Sequence, residues 1–351
     1  MKTNKHLKKL WLVPLVLVGL LIVSFWIPLP YYIEVPGGSE DIRSVLRVNK
    51  KEDQADGEYQ FVTIGVIRAN LPLMIYAGLT PYTDIIPAAD LTGGASDEEY
   101  QRINQFYMQT SQNFAKYQGL TKAKKEIEMK FLGVYVLSLA EDSTFKDILH
   151  LGDTVTGVNG KTFKNSQELI EYVGNLKIGD EVSVEFEDQG DKRSEKGKII
   201  KLENGKNGIG IGLIDRTEVQ SDIPIEFSTE GIGGPSAGLM FSLTIYSQLA
   251  DPDLRDGRII AGTGTISEDG KVGEIGGADK KVVASHEAGA DIFFVPDNPL
   301  SEEEKKANPK AKSNAEEAQE TAKKLGTSMK IVPVKTLDEA IQYLKDTRGK
   351  E

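Results

Sequence analysis

The residues best suited to covalent chemistry lie in GIGGPSAG, Gly231–Gly238, which sets Ser236 at the head of the apolar run LMFSLTIYSQLA. Glycines let the main chain turn tightly and let a substrate carbonyl approach backbone N–H groups. A helix beginning just past the serine would leave unpaired N–H groups where an oxyanion develops. The main-chain N–H groups around Gly234–Ser236, with Gly234 and Pro235 as the loop, are the expected oxyanion cradle. An inert Gly-rich loop with a capping serine carries the same letters, so the motif means little until a base is found.

The chain has no cysteine and only three histidines, His6, His150 and His286. Thiol catalysis, Cys-ligated zinc and disulfides are excluded together. His6 precedes a long apolar run, His150 lies in a separate unit, and His286 sits inside a helical pattern without an obvious carboxylate to orient it. A Ser-His-Asp triad therefore lacks its middle member, and lysine becomes the candidate base. An unperturbed amine near pKa 10.4 leaves roughly one molecule in a few thousand neutral at pH 7. The base must be buried, because desolvation lowers a lysine pKa. Lys281 opens the helix start KVVAS behind the turn Gly276-Gly277, and its neighbour Lys280 is the other candidate; spacing alone does not choose between them.

The elements that must position these groups follow the order of an α/β unit. After the serine helix come IIAGTGTI, a helix from Asp279, IFFVP, a charged helical stretch, MKIVPV and a final helix. Upstream, YYIEVPGG reads as a short strand ended by Pro-Gly, EYQFVTIGVI as another, and NKKEDQADGE as a loop between them. Ser96 with Glu99 is a capping-box start. Ile103, Phe106, Tyr107, Thr110, Phe114 and Tyr117 then recur at helical spacing, with Gly119 as the expected end. That aromatic stripe is expected to pack on a neighbouring domain.

Residues 127–188 read as a small unit: a strand in KFLGVYVLSL, a short helix and turn in FKDILHLGD, a hairpin, the helix Ser166–Val173 and a last strand. Leu151-Gly152-Asp153 and Val158-Asn159-Gly160 make it resemble a bacterial PDZ domain. Such domains bind an extended chain end as an added strand. The resemblance makes Phe131, Leu132, Gly133 and Val134 the expected carboxylate-cradling loop.

No charged residue occurs from Leu10 to Leu29, a run long enough to cross a hydrocarbon core. Lys2, Lys5, Lys8 and Lys9 precede it, which places the N-terminus in the cytosol and the bulk of the chain outside. A cleaved signal peptide is the rival, but no small-x-small site precedes IPLPYYIEV. The net charge of -11 argues against a nucleic-acid binder.

GGPSAG, then GTGTISEDGKVGEIGGADKKVVASHEAGADIFFVP, then MKIVPVKTLDEA together resemble the proteolytic domain of Lon peptidases. The resemblance implies Ser236 as nucleophile, Lys281 as base and Thr263 as the residue orienting the lysine. Where ATPase-bearing relatives often carry acidic residues, this chain has Gly233 and Thr265. No G-x-x-x-x-G-K-[ST] loop is present, so no ATP-driven motor is expected. An anchor, a PDZ-like unit and a Lon-type domain in one chain resemble the ATP-independent, PDZ-bearing Lon-like proteases of Gram-positive bacteria, the SepM and YlbL type. In them the PDZ unit is inserted and the strands before it complete the protease sheet.

The expected layout is α/β (α+β): a cytosolic tail (1–9), a transmembrane helix (10–29), strands and a helix completing or packing on the protease domain (31–125), a PDZ-like domain (126–205) and a Lon-type domain (206–351). Expected partners are a peptide or protein substrate and the membrane. The resemblance also carries a homo-oligomer, since Lon-type domains often form rings. No metal, nucleotide or other cofactor is called for. The competing reading is a non-catalytic, membrane-tethered peptide-binding scaffold or chaperone on the same fold.

Overall fold

The structure is a computed structural model that describes residues 24–349, apart from Gln189, together with Gly19. Most of the expected spanning segment, residues 10–23, lies outside the described residues. Among the described residues no helix is long and apolar enough to cross a membrane.

Two sheets organise the chain. The larger has six strands in the order Lys330–Val334, Ile292–Pro296, Ile259–Gly262, Glu58–Arg68, Tyr31–Asp41, Asp84–Pro87. Its first four members run parallel and the last two pair antiparallel. Residues 31–87 thus supply half of a sheet whose other half comes after residue 258. Side chains alternate across it as strand geometry requires. Tyr59, Phe61, Ile260 and Phe294 share a core with the helices Gly238–Ala250 and Leu337–Thr347. Val62, Ala261, Phe293 and Val295 face the helices Ala278–Glu287 and Asn314–Leu325.

The smaller sheet is antiparallel, in the order Ile211–Gln220, Glu128–Leu139, Thr154–Val158, Glu181–Asp188, Asp191–Lys198. With the helix Ser166–Gly174 it encloses a separate core of Val134, Val136, Phe145, Val155, Val184 and Phe186.

Four local expectations need correction. The strand at Tyr31 does not stop at Pro36: it bulges at Gly37-Gly38 and runs on to Asp41. Pro36 is tolerated because Asp84–Pro87 pairs only with Tyr31–Glu34, leaving Pro36 on an open edge. The stretch FKDILHLGD forms turns rather than a helix. The 205/206 boundary cuts too early, since Ile211–Gln220 belongs to the smaller sheet.

Gly119 does not end its helix, which spans Asp97–Lys122 and starts with the Ser96–Glu99 capping box. Its role is close packing: a Cβ there would sit 2.6 Å from Ile245 Cβ on the neighbouring helix. Gly119→Ala is therefore expected to destabilise the fold by about 1–3 kcal/mol, despite alanine's better helix propensity. A denaturant midpoint equal to or above wild type would refute that packing argument.

Candidate active site

The serine loop is held by the long helix Asp97–Lys122. Gly233 passes so near it that a Cβ would fall 2.7 Å from Asn104 Cβ. Gly234 adopts φ 86°, a left-handed value that favours glycine, and its N–H donates to Asn104 O at 2.9 Å. Ser111 Oγ–H donates to Pro235 O at 2.9 Å. Asn104 and Ser111 are seven residues apart, two turns on one helix face. Sequence reasoning missed both, because nothing local in the sequence links either residue to a loop so remote in the chain.

From the other side, the end of the strand Ile259–Gly262 pins the nucleophile. Ser236 O accepts from Gly264 N at 2.8 Å and from Thr263 Oγ1 at 3.2 Å. Leu239 N donates to Gly264 O at 3.0 Å.

Lys281 projects from the first turn of Ala278–Glu287, entered through Gly277 at φ 64°. Its side chain is 3% exposed. Nζ lies 2.9 Å from Ser236 Oγ and 3.0 Å from Thr263 Oγ1. Desolvation lowers the Lys281 pKa to about 7, against a small opposing pull from Glu34. The positive end of its helix acts in the same direction as burial.

Thr263 has one O–H, and it is engaged with the Ser236 carbonyl. Toward Lys281 it can only accept, which fixes an N–H of the amine and leaves the nitrogen lone pair for the Ser236 hydroxyl. Thr263→Val should lower kcat by about 10²-fold, and Thr263→Ser should restore most of it. Equal losses in the two variants would mean a packing effect instead.

Lys280, next in the chain, has the opposite environment. It is 2% exposed, with Asp84 in contact, Asp279 Oδ1 at 3.3 Å and Glu34 Oε2 at 3.9 Å. Burial works to lower its pKa, but the Asp84 hydrogen bond and the three carboxylate charges outweigh it, so the net shift is upward. The structure therefore brings Ser236, Thr263 and Lys281 together and gives Lys280 to an acid cluster.

Of the expected Gly234–Ser236 cradle, Gly234 and Pro235 supply no free donor. Gly234 N–H is taken by Asn104, and Pro235 has none. The Ser236 and Ala237 N–H groups make no hydrogen bond among the described residues and are the donors that remain.

A groove of ≈ 1340 Å³ runs over Ser236 and Lys281, between the strand Glu58–Arg68 and the N-terminal half of Asp97–Lys122. Beyond Phe61 that strand has no partner on its groove side among the described residues. Its Val62–Val66 stretch offers an open edge to an extended chain.

Phe131, Leu132, Gly133 and Val134 form continuous strand rather than a loop. They lie within Glu128–Leu139, where Phe131 pairs with Thr217, Gly133 with Arg216, and Val134 with both Asp215 and Val155. On the side of Thr154–Val158 the pairing begins only at Val134, so Phe131–Gly133 are held on one side alone. The edge strand beside it is Ile211–Gln220, and the long helix covers part of it: Thr110 Oγ1 donates to Asp215 O and Asn113 Nδ2 to Thr217 O, each at 2.9 Å.

Residues 214–345 match the Lon protease (S16) C-terminal proteolytic domain family, and Ser236, Thr263 and Lys281 all fall within that span. The chain carries a Lon-type serine peptidase domain. The PDZ domain family matches residues 105–196, which takes in more than two thirds of the long helix and stops before the strand Ile211–Gln220.

The chain is similar to the Lon protease of Chloroflexus aggregans, 29% identical over 138 residues, covering 38% of this chain and 14% of that one. It is 34% identical over 117 residues to the Lon protease of Metamycoplasma arthritidis, covering 33% and 12%. The chain thus matches only a small fraction of the length of these relatives. Part of the chain is similar to the PDZ domain of the SdrC-like protein from Listeria monocytogenes, with 36% identity, 24% of this chain and 90% of that one covered, and a TM-score of 0.23. The corresponding Listeria innocua domain has 39% identity, coverages of 23% and 92%, and a TM-score of 0.22.

Proposed function

We propose that this chain is a membrane-anchored, ATP-independent serine endopeptidase working outside the cell, with Ser236 as nucleophile and Lys281 as general base. The observation that carries the reading is the 2.9 Å contact between Ser236 Oγ and a buried lysine amine whose pKa falls to about 7. Neutral Lys281 takes the Ser236 proton as Oγ attacks a peptide carbonyl. The Ser236 and Ala237 N–H groups receive the oxyanion. The lysine then protonates the leaving amine, and water, deprotonated by the same amine, releases the acyl group.

With no nucleotide-binding loop in the sequence, the substrates of this reading are chains that need no unfolding. These are secreted peptides, a competence-type pheromone among them, or exposed tails of small membrane proteins. The open edge at Val62–Val66 suits an extended segment, and the PDZ domain suits capture of a chain end. Anchor, PDZ domain and peptidase domain together are the layout of the SepM and YlbL type.

The test uses the full chain in detergent without ATP, as wild type, Ser236→Ala and Lys281→Ala, with a pool of unstructured peptides read by mass spectrometry. Cleavage by wild type alone is expected. Peptide binding without cleavage by wild type would favour a scaffold, and equal cleavage by all three would remove the dyad from the chemistry.

A further inference from the structure

Apolar side chains that nothing covers are concentrated at one place. Among the described residues twelve large hydrophobic side chains are exposed, and nine of them (Phe25, Trp26, Ile27, Ile67, Leu71, Ile75, Tyr76, Leu79 and Ile85) fall between residues 25 and 85. The structure joins them. Leu29 N donates to Ala69 O at 2.8 Å and Asn70 Nδ2 to Phe25 O at 3.1 Å, which ties the entering chain to the start of the helix Leu71–Leu79. Ile67 and Ile85 flank Ile33 in register across three strands, and that helix packs on Ile33 through Ala77.

The helix, LPLMIYAGL, contains no charged or amide side chain. Leu73, Met74 and Ala77 face the sheet. Leu71, Ile75 and Leu79, at i, i+4 and i+8, make an outward stripe beside Tyr76. Leu79 is 82% exposed and Trp26 is 84% exposed. A water-facing helix normally presents polar residues on that side, so this one is built to meet something apolar.

We infer that the helix Leu71–Leu79, with Phe25–Ile27, is a foothold that lies in the interfacial zone of a lipid bilayer. This rests on the reading of Leu10–Leu29 as the membrane anchor. The patch begins where that uncharged run enters the described structure, so whatever meets the patch must share its space with lipid. Trp26 and Tyr76 are of the type favoured at the membrane–water boundary. The stripe lacks the Lys and Arg of helices drawn to anionic headgroups, and the chain's net charge is -11. The contact is therefore apolar and suits a zwitterionic surface. It holds the strand Glu58–Arg68 beside the bilayer, with the groove residues Val62–Val66 on that same strand, and so favours substrate segments close to the membrane.

The absence of cysteine makes single-site labelling clean. The full chain is reconstituted in phosphatidylcholine vesicles as Leu17→Cys, Ile75→Cys, Leu79→Cys and, at an exposed distant site, Lys306→Cys, each carrying a fluorophore. Quenching by a lipid-chain nitroxide and by aqueous iodide is then compared. Positions 17, 75 and 79 are expected to show several-fold more lipid quenching and several-fold less iodide quenching than 306, unchanged by added salt. If 17 behaves this way while 75 and 79 read like 306, the foothold is wrong and the anchor stands. If 75 and 79 are lipid-quenched and 17 is not, the anchor fails and the foothold stands; loss at all three refutes both. Protection of 75 and 79 from both quenchers would mean a protein cover such as a second copy, and loss of lipid quenching in salt would mean charge attraction; either overturns the inference.

Discussion

Lys281→Met is expected to lower kcat/KM on an unstructured peptide by about 10³–10⁴-fold and at the same time to stabilise the folded protein. Activity falls because, among the described residues, Lys281 is the amine in contact with Ser236 Oγ. Stability rises because a buried lysine is costly. Its pKa drops from 10.5 to about 7 on folding, and at about 1.4 kcal/mol per unit this sets an upper bound of roughly 5 kcal/mol. The unfolded chain binds the extra proton between those values, so wild-type stability climbs with pH across that window. The gap between variant and wild type should be full below pH 7 and gone near pH 10. Wild-type kcat/KM should rise through about pH 7, since the neutral amine is the active form. Chemical unfolding at pH 6, 8 and 10 checks the first half, and a pH–rate profile checks the second. A variant less stable than wild type at pH 6 would contradict the burial cost.

Lys280→Met should do the reverse, costing about 3 kcal/mol or more of stability. It removes the cation that Glu34, Asp84 and Asp279 share. Burial already raises the Glu34 pKa, and Lys280 is the main force pulling it back. Without that lysine the carboxylates repel, and the cheapest relief is to take up a proton. The loss should therefore be largest near neutral pH and shrink as pH falls through the carboxylate range. A denaturation series from pH 4 to 8 measures this; a pH-independent loss would point to packing rather than charge.

The contrast between these two lysines marks what was legible in the sequence. GGPSAG, the TG-x-I strand and the GG-x-x-x-K turn are local patterns, and local patterns survive in a string of letters. The same is true of the Ser96–Glu99 capping box and of the alternation of strand and helix after Ser236. Choosing between Lys280 and Lys281 from the residues alone was not possible, because successive helical positions point about 100° apart and the deciding partners, Glu34, Asp84 and Thr263, are remote in the chain. The Gly234 N–H looked free because Asn104, which occupies it, lies 130 positions earlier. Gly119 carried the letter of a helix stop while serving a close approach to Ile245. Phe131–Val134 read as a loop because the strand that pairs with it returns only at Ile211.

The six-stranded sheet also sets a clock. Glu58–Arg68 is made early, yet its partner Ile259–Gly262 appears some two hundred residues later. The smaller sheet, by contrast, closes entirely within residues 128–220 and can fold while the rest is still being delivered. Closing so long a loop is slow. Ser236 and Lys281 therefore meet only after nearly the whole chain has arrived, and an unfinished copy has no assembled site with which to cut its neighbours.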